Sequence, residues 1–121
     1  MAARILVIEH QALQLAAIHA LLACTRHDVV VAREGIGGVA AARRQRPNLI
    51  LCAIAHPVNG VQVLCTLRTD AAFDRTPIVA ATFLSTPSDR MQLLSLGFDG
   101  VIAKPLRGES FVAEVEAFLR A

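Results

Sequence analysis

Short apolar runs rich in β-branched residues recur along the chain and are separated by longer segments of mixed polarity. Turn or charged residues bound each run, which is the pattern of strands buried inside a parallel sheet. The predicted strands are Ile5–Ile8, Val29–Ala32, Leu49–Ala53, Ile78–Ala81 and Val101–Ala103.

The segments between these runs have helical spacing, least regularly in the second, about residues 37–45, which begins with two glycines. The fourth has marked ends, because Thr86 can cap its amides and Pro87 suits its first position. Asp89 favours the positive end of the helix dipole, and Gly97 can end the helix in a left-handed conformation. The apolar positions of the other helices are Leu15, Ile18 and Leu22; Val61, Leu64 and Leu67; and Phe111, Val112, Val115, Phe118 and Leu119.

Five strands that alternate with five helices predict a doubly wound α/β sandwich with right-handed crossovers. In such a sheet the working site lies beyond the carboxyl ends of the strands. The residues expected at this edge are Glu9-His10, Ala53 to Gly60, Thr82-Phe83 and Lys104-Pro105.

The composition fits one compact domain over residues 1–121, since 55% of the residues are hydrophobic and 18% are charged. The net charge of +2 is small. The tightest basic cluster, Arg43, Arg44 and Arg46, is interpreted as the solvated side of a helix, and we expect no nucleic-acid binding.

Three cysteines, Cys24, Cys52 and Cys65, form no Cys-x-x-Cys pair, and each is expected to pack as a free, small hydrophobe. The longest apolar stretch, Leu13 to Cys24, is shorter than the roughly 20 residues that a membrane-spanning helix needs. The N-terminus has no signal-peptide pattern. We therefore expect a soluble cytoplasmic protein.

Motifs along the whole chain resemble, in order, those of response-regulator receiver domains of the CheY-like type. The matching segments are Ile5–Ile8 with the acid after it, Pro47–Leu51, Pro57 and Gly60, Leu64 with Leu67-Arg68, Pro77–Thr82, Asp89-Arg90, Leu94, Gly97, Asp99 and Lys104-Pro105. The resemblance implies a flavodoxin-like sheet of strand order 2-1-3-4-5 with five helices. It also implies a role in a bacterial two-component phosphorelay.

In that family an acidic pair after the first strand and an aspartate ending the third bind magnesium. A histidine kinase phosphorylates the aspartate, and an aromatic residue on the fifth strand then swings inward. By this resemblance the acidic pair corresponds to Glu9 and His10, the phospho-acceptor to Ala53, and the switch aromatic to Val101. The implied site is therefore incomplete at its centre.

Two residues that contact the phosphoryl group in the family, a strand-four hydroxyl and a lysine, are retained as Thr82 and Lys104. Ala53 offers no nucleophile for an acyl phosphate. Glu9 beside a histidine is a poor set of ligands for magnesium, which prefers oxygen. We expect no cofactor, and we predict that Lys104 pairs with Glu9 in place of a phospho-aspartate.

The chain lacks a Gly-rich phosphate loop, a nucleophile elbow and a His-Glu-x-x-His motif, so we expect no enzyme activity. We expect a stand-alone receiver-like domain, held in one conformation, that acts by protein contact. Its partner would be a histidine kinase, a phosphotransfer protein, another regulator or a second copy. The face formed by the fourth helix, fifth strand and fifth helix is expected to bind it, as in relatives.

Two alternatives remain open from the sequence. The first is a phospho-accepting regulator that uses an unconventional residue. The second is a metal sensor, since Glu9, His10 and His56 are expected to lie near one another and would suit zinc or nickel. His19 and His27 lie away from the predicted site and are expected at the surface or its boundary.

Overall fold

The computed structural model describes residues 2–120, which form one sheet of five parallel strands with helices on both faces. The strands are β1 (Arg4–Ile8), β2 (Asp28–Ala32), β3 (Leu49–Ala53), β4 (Ile78–Thr82) and β5 (Gly100–Ala103). The helices are α1 (Ala12–Leu22), α2 (Gly35–Gln45), α3 (Gly60–Arg68), α4 (Pro87–Leu96) and α5 (Gly108–Arg120), with a 3₁₀ turn at Ala71–Phe73. The strand order β2-β1-β3-β4-β5 confirms the predicted fold.

Each central strand is buried on both faces, which explains why its sequence is a continuous apolar run. In β1, Leu6 and Ile8 enter the core beneath α2, α3 and α4, whereas Ile5 and Val7 enter the core beneath α1 and α5. The two cores together fix the sheet between its helical layers.

Helix α2 begins two residues earlier than predicted, at Gly35. Glycine lowers helix propensity, so the sequence pattern placed the start too late. Gly38 serves close packing instead, because a methyl group there would collide with the side chain of Ile8. Tertiary contact therefore outweighs local propensity at this helix.

The predicted ends of α4 are confirmed. The hydroxyl of Thr86 accepts a hydrogen bond from the amide of Asp89 at 3.1 Å, and the Asp89 carboxylate accepts one from the amide of Thr86 at 3.2 Å. Gly97 ends the helix at a φ of 119°, in the left-handed region. These reciprocal bonds form a capping box, which satisfies amides that the helix itself cannot.

All three cysteines are free, as predicted, but only Cys52, in β3, is buried as a small hydrophobe. Cys24 and Cys65 are exposed, because they lie on the outward sides of a turn and a helix whose inward sides face the core. The three arginines at the end of α2 are exposed as predicted. Within residues 2–120, no helix has the length and apolar character to cross a membrane.

A methyl group at Gly60, the first residue of α3, would collide with the backbone carbonyl oxygen of Ala53. Backbone cannot yield as a side chain can, so Gly60→Ala should lower the free energy of unfolding by about 1–3 kcal/mol. Gly37→Ala is the matched control, because a methyl there meets only the Glu34 side chain, at 3.7 Å. It should raise stability by about 0.5–1 kcal/mol, as alanine favours helices. Urea denaturation measures both, and equal effects would contradict the close-approach argument.

Candidate functional site

Four of the residues predicted for the site meet at the carboxyl edge of the sheet. Glu9 follows β1, Ala53 ends β3, Thr82 ends β4, and Lys104 follows β5. All four are buried, with exposed fractions of 4% for Glu9, 5% for Ala53, 6% for Thr82 and 9% for Lys104. The edge therefore holds a carboxylate and an ammonium group almost out of contact with water.

The carboxylate of Glu9 is fully engaged. Its Oε1 atom accepts a hydrogen bond from Nζ of Lys104, which confirms the predicted pair. Its Oε2 atom accepts hydrogen bonds from the amides of His10 at 2.9 Å and Gln11 at 3.1 Å. Because these amides lie at the start of α1, the helix dipole also favours the negative charge.

Lys104 is held at both its backbone and its side chain. Its amide donates to the carbonyl of Thr82 at 2.8 Å, and the peptide bond to Pro105 is cis. Its ammonium nitrogen lies 5.6 Å from the centre of the Phe83 ring, within range of a cation–π contact. The buried charge of Lys104 is thus compensated by Glu9 and partly covered by an aromatic face.

Thr82 and Val101 have structural partners in this arrangement. The hydroxyl oxygen of Thr82 accepts the amide of Leu84 at 3.0 Å, which ties down the loop after β4. Val101 is 1% exposed inside the core, and its carbonyl accepts a hydrogen bond from Arg90 of α4 at 3.1 Å. Arg90 therefore links α4 directly to β5.

The donor set at this edge does not fit magnesium. Magnesium needs near-octahedral oxygen ligands, usually including one or two carboxylates. Both carboxylate oxygens of Glu9 already accept hydrogen bonds, one from Lys104 and the other from backbone amides. Ala53 has only a methyl group and offers no oxygen ligand from its side chain. A metal would have to displace an ammonium group that already neutralises the carboxylate.

The predicted convergence of Glu9, His10 and His56 on a metal is not supported. Glu9 is turned inward, whereas His10 and His56 are exposed. His56 lines a groove between α2 and α3, beside Pro57 and Gln62. Across residues 2–120, no three His, Cys, Asp or Glu side chains are grouped to hold a metal ion.

Arg33 belongs to this edge, although the sequence analysis did not single it out. Its guanidinium donates to the carbonyl of His10, with Nε at 3.0 Å. Arg33 directly follows β2, so the strand-end rule could have found it.

His27 has a role away from the edge: its buried Nε2 lies 2.6 Å from Glu116 of α5, and its Nδ1 accepts a hydrogen bond from the amide of Ala3 at 3.0 Å.

Cys52, on strand β3 next to Ala53, carries a thiol that could in principle act as a nucleophile. Burial, and secondly the negative charge of Glu9, raise the pKa of its thiol from 9.0 to about 12. The thiolate is the reactive form of cysteine, so this thiol is inert near neutral pH. Cys52 is therefore a structural residue of β3 rather than a nucleophile of this edge.

Labelling with a thiol reagent near neutral pH should modify Cys24 and Cys65 in the native protein and leave Cys52 unmodified until the chain unfolds. The raised pKa also predicts a stability loss at high pH. The folded state holds the Cys52 proton more tightly than the unfolded state does. The stability that this protonated thiol contributes is therefore fully present below pH 9.0 and is lost as the pH rises towards about 12. Peptide mapping after labelling checks the first result, and rapid native labelling of Cys52 would contradict it.

A doubly wound sheet in this strand order, with a buried carboxylate, hydroxyl and lysine at its carboxyl edge, defines a receiver-like signalling domain. The family model described as response regulator receiver domain matches residues 5–116. The chain belongs to this family.

Named relatives agree with the assignment along nearly their whole length. Protein PilH of Pseudomonas aeruginosa is 29% identical over 118 residues, covering 97% of this chain and 98% of the relative. The polar-differentiation response regulator DivK of Brucella anthropi is 25% identical, covering 95% of this chain and 94% of the relative. A solved receiver domain of a sensor histidine kinase from Pseudomonas aeruginosa, with magnesium in its active-site cleft, has a TM-score of 0.89 and 26% identity over 100% of both chains.

Proposed function

We propose that this receiver domain signals without phosphorylation, by binding a protein partner in one fixed conformation. The observation that carries the proposal is the buried pair of Glu9 and Lys104 beside a strand β3 that ends in Ala53. In the family pattern these positions would hold the magnesium ligand, the phosphate-binding lysine and the phospho-acceptor. Here the lysine is already neutralised, and the proposed acceptor position is a methyl group.

Other residues at the edge offer little chemistry for phosphoryl transfer. The hydroxyl of Thr82 is buried, and the thiol of Cys52 stays protonated. The imidazole of His10 is exposed, but transfer to it would still need charge neutralisation at the phosphoryl group. These observations favour binding over the alternative of an unconventional acceptor.

The contacts of the switch residues support a fixed conformation. Val101 is a small side chain already packed in the core, and Thr82 already binds the loop that follows it. Because both residues are already engaged in these contacts, we infer that the relay between the site and the outer face is absent.

The proposed binding face is the one formed by α4, β5 and α5. On α4, Met91 and Leu94 are three residues apart and therefore lie on one side of the helix, where they are exposed by 69% and 40%. The two charged residues of this helix are occupied, Asp89 in the capping box and Arg90 on the carbonyl of Val101. An apolar helix face without free charge suits a protein partner such as a histidine kinase, a phosphotransfer protein or another regulator.

Incubation with acetyl phosphate and magnesium, followed by intact-mass measurement, tests the proposal. The expected result is an unchanged mass under conditions that phosphorylate a receiver with a complete site. A gain of one phosphoryl group would overturn the proposal in favour of the unconventional acceptor, and peptide mapping would then identify the residue.

A further inference from the structure

The amino edge of the sheet, opposite the carboxyl edge, contains a buried imidazole. His27 directly precedes β2, and its side chain is 5% exposed. Histidine is the side chain that ordinarily gains or loses a proton between about pH 5 and 8. The hydrogen bonds of this ring therefore determine what a proton would change at the amino edge.

Two hydrogen bonds fix the protonation state of the ring. Its Nδ1 atom accepts a hydrogen bond from the amide of Ala3 at 3.0 Å, and a backbone amide can only donate. Nδ1 therefore carries no hydrogen, and the neutral ring has its one N–H at Nε2. This N–H donates to the carboxylate of Glu116, whose Oε1 lies 2.6 Å away. The tautomer is thus assigned from the bond to Ala3.

One carboxylate accounts for the electrostatic contact of the ring. The charged or titratable residues beside His27, at the start of β1, at the end of α1 and on the last turns of α5 are Arg26, Asp28, Arg4, His19, Glu116 and Arg120. Within residues 2–120, Glu116 is the one of these that bonds to the ring. Arg4 and Asp28 instead pair with each other at 3.4 Å, and the side chains of Arg26, His19 and Arg120 are exposed.

We propose that His27 is a pH-sensitive switch that holds the residue before β1 only while its ring is neutral. A proton added to Nδ1 turns the acceptor into a donor, so the ring and the Ala3 amide would place two N–H groups against each other. The charged ring still donates from Nε2 to Glu116, and that bond then joins two opposite charges. Protonation therefore breaks the contact with Ala3 and strengthens the contact with α5.

The ring keeps its position because its segment is anchored independently of Ala3. The amide of His27 donates to the hydroxyl of Thr25 at 3.3 Å, and this hydroxyl donates to the carbonyl of Leu22 at 2.6 Å. Ala3 lies outside β1, and its carbonyl accepts a hydrogen bond from the amide of Asp28 at 2.8 Å. We therefore expect Ala3, rather than the ring, to move.

The change should end at Arg4, the first residue of β1. Its amide donates to the side-chain oxygen of Asn48 at 2.8 Å, and its guanidinium donates to the carbonyl of Gln45 at 3.0 Å. Neither bond involves the imidazole. Acidification should therefore loosen the residue before β1 and leave the sheet intact. This inference concerns the amino edge alone and does not depend on whether the carboxyl edge accepts phosphate.

Nuclear magnetic resonance of the ¹⁵N-labelled chain between about pH 5 and 8 tests the switch. While the ring is neutral, its nitrogen shifts should show the Nε2–H tautomer, and a ¹⁵N–¹⁵N coupling across the hydrogen bond should join the Ala3 amide to Nδ1. As His27 gains its proton, this coupling should vanish. The protection of the Ala3 amide against hydrogen exchange should fall about 10-fold, as expected when one hydrogen bond is broken.

His27→Asn removes the titrating ring but keeps an acceptor, because the side-chain oxygen of asparagine can take the place of Nδ1. The protection of the Ala3 amide should then no longer depend on pH. His19→Asn, the same change at an exposed histidine of α1, is the matched control and should leave the pH response unchanged. Circular dichroism of each variant across the same pH range checks that it is folded.

A neutral ring with its proton at Nδ1 would overturn the switch. So would an Ala3 amide whose protection stays constant while His27 gains its proton, or a ring that stays neutral until the chain unfolds. If His27→Asn does not fold, the titration of the unaltered protein still decides between these outcomes.

Discussion

Replacing Glu9 with glutamine should lower the free energy of unfolding by about 3–5 kcal/mol, because it leaves the ammonium group of Lys104 buried without a counter-charge. Both side chains are 6% exposed, so water cannot replace the lost carboxylate. Glutamine keeps the size of the side chain and can still accept from the amides of His10 and Gln11. The loss should therefore report the charge rather than a cavity. Chemical denaturation followed by circular dichroism measures it.

Two controls show whether the pair itself is responsible. Asp28→Asn breaks the ion pair with Arg4, whose side chains are 44% and 68% exposed, and should cost at most about 1 kcal/mol. Lys104→Met in the Glu9→Gln background removes the stranded charge and should recover most of the lost stability. An unchanged melting temperature in Glu9→Gln would contradict the buried pair.

The central strands were predictable because burial on both faces requires a continuous apolar run in the sequence. All five predicted strands differ from the structure by at most one residue at either end, as at β4, which includes Thr82. The capping box of α4 was predictable for a similar reason, since Thr86 and Asp89 act through local backbone contacts. Periodicity and capping depend on residues close together in the chain, so they can be predicted from a single sequence.

Features that depend on distant contacts were harder to predict. The start of α2 was placed too late because only the folded chain brings Gly38 against Ile8. At the site, the family resemblance placed Glu9 and Lys104 together and so predicted their pair, but the two amide bonds that fix Glu9 depend on the path of the loop. For the metal prediction, strand order brought the residues to one edge but did not determine their side-chain directions.

Rebuilding the family pattern should convert the site to one that responds to magnesium. Ala53→Asp alone places a carboxylate at a position that is only 5% exposed, while the ammonium group of Lys104 is already paired with Glu9, so the variant should be destabilised by several kcal/mol. Combined with His10→Asp, it supplies the acidic pair and the acceptor that the resemblance implies. At about 100 times the dissociation constant, magnesium should then stabilise this double variant by about 2.7 kcal/mol. Thermal melting with and without magnesium measures the response.

The matched control is His10→Asp with Ala53→Asn, which keeps the shape at residue 53 but removes its charge and its nucleophile. It should show little response to magnesium and no gain of mass with acetyl phosphate, whereas the double aspartate variant should show both. If the double aspartate variant responds neither to magnesium nor to acetyl phosphate, Ala53 is not the vacated acceptor position. If it responds to both while the wild-type protein responds to neither, the substitutions at residues 10 and 53 account for the loss of phosphorylation. Thr82 and Lys104 would then be competent remnants of that chemistry, with the ammonium group of Lys104 held by Glu9 until a phosphoryl group competes for it.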